Sequence, residues 1–345
     1  MRQQRNSQGL KTTLYLITVI FMVYVVVFMP TPYMVNQPGS AEEIKPLVKV
    51  HDGDPAEKGT FMLTTVSVSY ANIAMMVMAA VNPDAELSPK PKNISKQEYT
   101  TEQVYYMAQS QSSAMMAAYN KAGIPYKMVT DYIFIVSIPE GITPKGDFRS
   151  GDKIIEINGQ PIHQFEDLAS IMKNKKPGDQ VTVTLIRDQQ KITQHVELIS
   201  LKSDQESSMT KAGLGVNIGQ VQKVEPKDPS KQVTFTSTNI GGPSAGLMFS
   251  LEIYNQLTQG DLSKGYRIAG TGTIDEDGKV GPIGGVQFKI IAADREHAEI
   301  FFVPESNYQD AAKKAKQIGT SMKLVPVKTM DDALRYIEKL PVKSE

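Results

Sequence analysis

"TNIGGPSAGLMFSLEIYNQL", residues 238–257, is the stretch on which the fold turns. Ser244 sits in Gly242-Pro243-Ser244-Ala245-Gly246, which fits the G-x-S-x-G elbow of serine hydrolases. Leu247, Phe249, Leu251, Ile253 and Leu257 follow and predict a buried helix. At the mouth of a helix, backbone N–H groups and the helix dipole can stabilise an oxyanion. A serine alone is a weak nucleophile and needs a base, so the rest of the chain must supply one.

The 345 residues are enough for two modest domains with cores of their own. Lysines and arginines number 37, as do aspartates and glutamates. That balance gives no support to nucleic-acid binding, which calls for a clustered basic face. The chain has no cysteine, which removes disulfides, thiolate metal sites and cysteine nucleophiles. Four histidines without H-x-x-H or H-E-x-x-H spacing argue against a zinc enzyme.

Near the N-terminus, Arg2, Arg5 and Lys11 precede "TLYLITVIFMVYVVVFM" (13–29), 17 uncharged and largely apolar positions. That length reaches the lower end of the roughly 17–25 residues of a spanning helix. Basic residues ahead of it predict a cytoplasmic tail (1–12), a transmembrane helix (13–29) and an exported body. A cleaved signal peptide is the rival, disfavoured because Pro30 and Pro32 follow without an A-x-A pattern.

"PTPYMVNQPGSAEE" (30–43) reads as a linker. Two strand-like runs come next, "IKPLVKV" and "GTFMLTTVSV", then the polar loop "VNPDAELSPKPKNIS" (81–95). "NIS" at 93–95 fits a glycosylation acceptor. "TTEQVYYMAQSQSSAMMAAYNKAG" (100–123) predicts a helix capped by its Thr-Thr-Glu-Gln opening and by Gly123. From about 124 to 201, strands surround a short helix with a stripe at Phe165, Leu168, Ile171 and Met172, and Asn158-Gly159 marks a hairpin turn. This unit resembles a PDZ domain, on the strength of "GDKIIEINGQPI" (151–162). PDZ domains add a peptide as an extra strand at a sheet edge; a plain spacer is the alternative. "KSDQESSMTKAG" (202–213) reads as a polar linker, and "GLGV" (213–216) as the first strand of a second α/β region.

Three side chains are candidates for the base. His297 is the one histidine downstream of Ser244, among charges in "ADREHAEI", and the strands an α/β-hydrolase needs before its elbow are missing. Lys211 stands in Ser208-x-x-Lys211, the S-x-x-K of penicillin-binding enzymes, without the companion S-D-N and K-T-G elements. Lys289 follows a Gly-rich turn and precedes Ile290, Ile291, Ala292 and Ala293, where poor solvation would lower its pKa. By spacing alone, a lysine that packs its stem and sends its head to water explains Lys289 as well.

"GGPSAG" (241–246), "GTGTIDEDGKVGPIGGVQFKIIAADR" (270–295) and "VPESN" (303–307) together resemble the proteolytic domain of the Lon protease family. The resemblance implies Ser244 as nucleophile and Lys289, 45 positions on, as general base. It implies Thr271 as a hydroxyl that holds the lysine in place, and backbone N–H groups from Gly242 to Ala245 as the oxyanion site. "GTFMLTTV" (59–66) and "YYMAQSQSSAMMAAY" (105–119) are similar to the hairpin strand and first helix of that domain. The implied fold class is α+β: a Lon-type proteolytic domain (44–122 and 204–345) with an inserted or adjoining small β-rich PDZ domain (123–203) and an N-terminal transmembrane helix.

The pattern departs from the family at two places. Gly241 stands where ATP-driven members often carry Asp, and Thr273 where Glu is usual. No G-x-x-x-x-G-K-[ST] phosphate loop occurs. The whole layout resembles the extracytoplasmic Lon-like PDZ proteases of Gram-positive bacteria. It implies a single-pass cell-membrane protein with an extracellular catalytic domain, working on protein or peptide substrates without ATP or another cofactor, with homo-oligomers possible and no nucleic-acid partner. A membrane-tethered PDZ adaptor or chaperone with an inactive protease-like domain is the competing expectation.

Overall fold

The computed structural model describes residues 2–55, 58–91, 94–203, 206–236 and 240–343. An apolar helix, α1 (Arg2–Phe28), runs into β1 (Pro30–Glu43), β2 (Thr60–Asn72), α2 (Ile73–Val81), β3 (Glu86–Pro89) and the long α3 (Lys96–Ala122). The middle of the chain carries β4 (Tyr126–Ser137), β5 (Lys153–Ile157), α4 (Phe165–Met172), β6 (Gln180–Arg187) and β7 (Gln190–Glu197). A hairpin over 199–213 leads to β8 (Asn217–Pro226). The last third holds α5 (Gly246–Leu257), β9 (Arg267–Gly270), α6 (Val286–Arg295), β10 (Ile300–Pro304), α7 (Tyr308–Ile318), β11 (Lys323–Val327) and α8 (Met330–Glu338).

Strands from both ends of the chain share one six-stranded sheet in the order β11-β10-β9-β2-β1-β3. The first four are parallel; β1 is antiparallel to β2 and β3. The parallel part is apolar on both faces, as a sheet covered by helices must be. Phe61, Leu63, Ile268 and Phe302 pack with Tyr119 of α3 and Leu247 and Leu251 of α5. The alternate residues Met62, Ala269, Phe301 and Val303 pack with Val286, Ile290 and Ala293 of α6. The two helices with the candidate catalytic residues therefore lie on opposite faces of the sheet.

A second sheet, β8-β4-β5-β6-β7, encloses its own core of Ile133, Ile135, Ile154, Ile157, Val183 and Leu185, closed by Leu168, Ile171 and Met172 of α4. The Asn158-Gly159 turn forms as expected, with φ of 51° and 74° at its two positions.

Several expectations need correction. Residues 30–43 are no linker: they pair with β2 from Pro30–Asn72 to Glu43–Met62. Bulges after Pro30 and Pro38 absorb the residues that look like breakers, and at Gly39 a Cβ would stand 2.2 Å from Thr65 Oγ1. Helix α3 begins four residues earlier than its Thr-Thr opening suggests. Its cap is Ser95, which accepts from the Glu98 N–H while Glu98 accepts from the Ser95 N–H. The polar loop 81–95 contains β3, and Asn93 lies outside the described residues. Residues 206–213 are half of a hairpin instead of a linker, so Lys211 stands on a strand and not on the helix that an S-x-x-K pair requires. "GLGV" leads into β8, which pairs with β4 from Asn217–Ser137 to Pro226–Tyr126.

Candidate active site

Ser244 lies in the turn before α5. Gly242 supplies the left-handed φ of +86° that this turn needs. The turn is held from α3, where the Gln103 carbonyl accepts from the Gly242 N–H at 2.8 Å and Ser110 Oγ donates to the Pro243 carbonyl at 2.9 Å. From the other side, Thr271 Oγ1 and the Gly272 N–H donate to the Ser244 carbonyl, at 3.0 and 2.8 Å. These two residues follow the end of β9, at the C-terminal ends of the parallel strands where α/β sheets commonly place ligands. Gly270 allows the approach: a Cβ there would sit 2.5 Å from Met248 Sδ and 2.9 Å from the Phe302 carbonyl.

Lys289 is one turn into α6, whose entry is Gly285 at φ +69°. Its side chain reaches β2, an inner strand of the sheet, and the residue is 3% exposed. Nζ donates to the Thr64 carbonyl at 2.5 Å and stands 3.0 Å from Ser244 Oγ. A protonated lysine donates across the second contact; a neutral one accepts the hydroxyl proton. Loss of hydration lowers the Lys289 pKa from 10.5 to about 7, the range of a working base. The pair opens onto a groove of about 840 Å³ lined by Thr65, Val66, Val68, Tyr99, Met107 and Ile240, among others.

Of the residues expected at the site, Ser244, Lys289 and Thr271 come together, with one difference. The Thr271 hydroxyl holds the backbone of Ser244 and does not hydrogen-bond the lysine, whose positioning partner is the Thr64 carbonyl. The proposed oxyanion donors also divide. The Gly242 N–H is committed to Gln103, whereas no partner of the Ala245 N–H is found among the described residues. Ala245 heads α5 without a side-chain cap, which leaves that donor for a ligand. His297 is exposed, past the C-terminal end of α6. It lies eight residues beyond Lys289, at a left-handed φ of 55°. Thr64, Gln103 and Ser110 were not anticipated. Two of them act through backbone carbonyls, which any residue carries, and Ser110 is one of several serines in its helix, with nothing in the sequence to set it apart.

A serine at a helix mouth, a desolvated lysine against it and a groove beside them form an arrangement chemically capable of acyl transfer. Residues 231–339 match the Lon protease (S16) C-terminal proteolytic domain, and residues 122–198 match a PDZ domain. The Lon protease of Trichlorobacter lovleyi is 38% identical over 102 residues, 29% of this chain and 12% of that protein. The Lon protease of Elusimicrobium minutum is 36% identical over 94 residues, 27% of this chain and 11% of that protein. This chain therefore spans only a small part of the length of those curated relatives. The crystallised PDZ domain of the SdrC-like protein from Listeria monocytogenes aligns with 26% of this chain and 87% of its own at 20% identity, with a TM-score of 0.22. The chain carries a Lon-type proteolytic domain and a PDZ domain, preceded by a helix, Lys11–Phe28, long and apolar enough to cross a membrane.

Proposed function

We propose that the protein is an ATP-independent serine endopeptidase with a Ser244–Lys289 dyad, anchored by α1 and acting on extracytoplasmic proteins or peptides at the membrane surface. The observation that carries this reading is the 3.0 Å approach of a buried Lys289 Nζ to Ser244 Oγ. Neutral Lys289 takes the Ser244 proton as Oγ bonds to the substrate carbonyl carbon, and the Ala245 N–H faces the oxyanion that forms. The ammonium returns its proton to the leaving amine, and water then resolves the acyl-enzyme by the same route. The proteolytic unit takes chain from both sides of the PDZ segment, which the shared six-stranded sheet supports. The PDZ domain contributes to substrate selection through surfaces other than the outer edge of β4, which β8 already pairs.

The test is cleavage of an unfolded protein by the full chain in phospholipid vesicles without nucleotide. Ser244→Ala and Lys289→Met should abolish it and His297→Ala should not. An active Lys289→Met variant would end the dyad reading, and binding without cleavage by the parent would favour a tethered adaptor. Activity should also rise with pH through about 7, where Lys289 loses its proton. A pH-rate profile flat through that range would remove lysine as the base.

A further inference from the structure

Helix α2, "IAMMVMAAV", contains no polar side chain. One side packs inward: Met75, Met76 and Ala79 close over Val35, Ala71 and Ala85. The other side is equally apolar and uncovered, with Val77 63%, Met78 68% and Val81 80% exposed. No charged residue occurs from Thr60 to Pro83. The helix is firmly placed. Asn72 caps it by accepting from the Met75 N–H at 2.8 Å, and just past its end Asp84 pairs with the buried Lys314 at 2.9 Å.

What lies beside this face identifies its occupant. Asn72 Nδ2 also donates to the Val27 carbonyl at 2.6 Å, which joins the start of α2 to the last turn of α1. From Leu14 to Phe28 most apolar side chains of α1 are exposed, Tyr24 and Phe28 among them, and Met29 and Tyr33 continue the surface. Beside them Lys90 stands 5.1 Å above the Tyr70 ring, and its N–H donates to the Pro32 carbonyl. Tyrosine and lysine at such a border suit the headgroup region. At nine residues α2 is about 14 Å long, less than half the thickness of a hydrocarbon core.

We infer that α2 is a second membrane-contacting element, lying in the headgroup–acyl boundary of a phospholipid bilayer beside the outer end of α1. This rests on the reading of α1 as an anchor. Insertion of such a face by about 5–10 Å buries Val77, Met78 and Val81 and fixes the rotation of the body about α1.

The chain lacks cysteine, so single-cysteine labelling is unambiguous. Full-length Met78→Cys and Val81→Cys would carry an environment-sensitive fluorophore in phosphatidylcholine–phosphatidylglycerol vesicles. Ile20→Cys reports on α1 and Glu140→Cys on an exposed PDZ position. Lipids with a nitroxide near the headgroup end of the acyl chain should quench the labels at 78 and 81 several-fold more than the label at 140, and aqueous iodide should do the reverse. Iodide quenching at 78 equal to that at 140, with Ile20 quenched by lipid, would overturn the inference and leave the anchor standing. Ile20 unquenched by lipid, with 78 also in water, would overturn both. Labels at 78 shielded from both quenchers, with energy transfer between chains, would assign the face to a second copy and overturn the bilayer as occupant.

Discussion

In the proposed dyad, Lys289 is the residue where function and stability would oppose each other. Its pKa is depressed on folding, so between about 7 and 10.5 the unfolded chain holds a proton that the folded chain lacks. Stability therefore rises with pH across that window, and the full penalty of the buried ammonium is felt below pH 7. Lys289→Met should abolish cleavage and raise unfolding stability by about 2–4 kcal/mol at pH 6, with the loss of the Thr64 and Ser244 contacts already discounted. The gain should vanish above pH 10.5; urea unfolding at pH 6 and 10 measures it, and a variant less stable at pH 6 would contradict the buried-charge account. Gly241 presents the converse case. A Cβ there would meet Gln103 Cβ at 2.7 Å, so the Asp carried by many ATP-driven Lon relatives has no room. Gly241→Asp should destabilise by about 1–3 kcal/mol and lower kcat, because α3 must shift and the Gln103–Gly242 hydrogen bond with it. Unchanged stability and rate would mean that the turn can yield locally.

At the scale of elements, much of the site was legible because it is written in glycine turns next to short apolar runs. Gly242 before α5 and Gly285 before α6 announce where two helices begin, and Ser244 and Lys289 follow at fixed offsets. Less legible were elements whose local pattern is broken or has no period. Strand β1 hides behind Pro38-Gly39 at a bulge, and α2 is apolar on every side, so neither 3.6- nor 2-residue periodicity reveals it. The pairing of β8 could not be read at all, since it joins residues eighty to a hundred positions apart. It makes β4 an inner strand and β8 an edge of the PDZ sheet. Val216 and Ile218 pack into the PDZ core beside Leu168, Ile171 and Met172, and Val224 at the far end of β8 belongs to the core under α3 and α5. The free edge of this sheet beside β4 is thus β8 itself, a strand anchored in both cores. Asn217 Nδ2 donates to Ser137 Oγ at 2.9 Å, which marks a pair of positions suited to a disulfide lock. With Ser137→Cys and Asn217→Cys oxidised, cleavage of an unfolded substrate should proceed at the rate of the reduced form. A rate that falls on oxidation and returns on reduction would show that β8 separates from β4 during turnover.

At the scale of the whole molecule, β1 connects the end of α1 to the groove without a flexible joint. Pro30 begins the strand two residues after α1 ends, and Asn36 already lines the groove beside the dyad. From Phe28 to Asn36 the chain advances eight residues, at most about 27 Å, so the groove rim lies no farther than that from the end of α1. Were α1 to span the bilayer and α2 to lie against it, as proposed, the body would have two attachments and little freedom to tilt, and the groove would be held at one height. Substrates tethered to the same membrane should then be selected by the length of chain between their anchor and the scissile bond. With linkers of about ten residues, extended chain reaches the rim, and cleavage should exceed that of the untethered substrate at equal bulk concentration by at least about tenfold, through effective concentration. With linkers of two or three residues the bond cannot reach the groove. With very long Gly-Ser linkers the advantage should decline gradually as the tethered end spreads through a larger volume. A series of vesicle-anchored fluorogenic peptides with graded linkers would measure this dependence, with Ser244→Ala as the blank. A rate independent of linker length would mean that the body swings freely about α1. An optimum at short linkers, lost on dispersal into detergent, would show a groove held at fixed height above the bilayer.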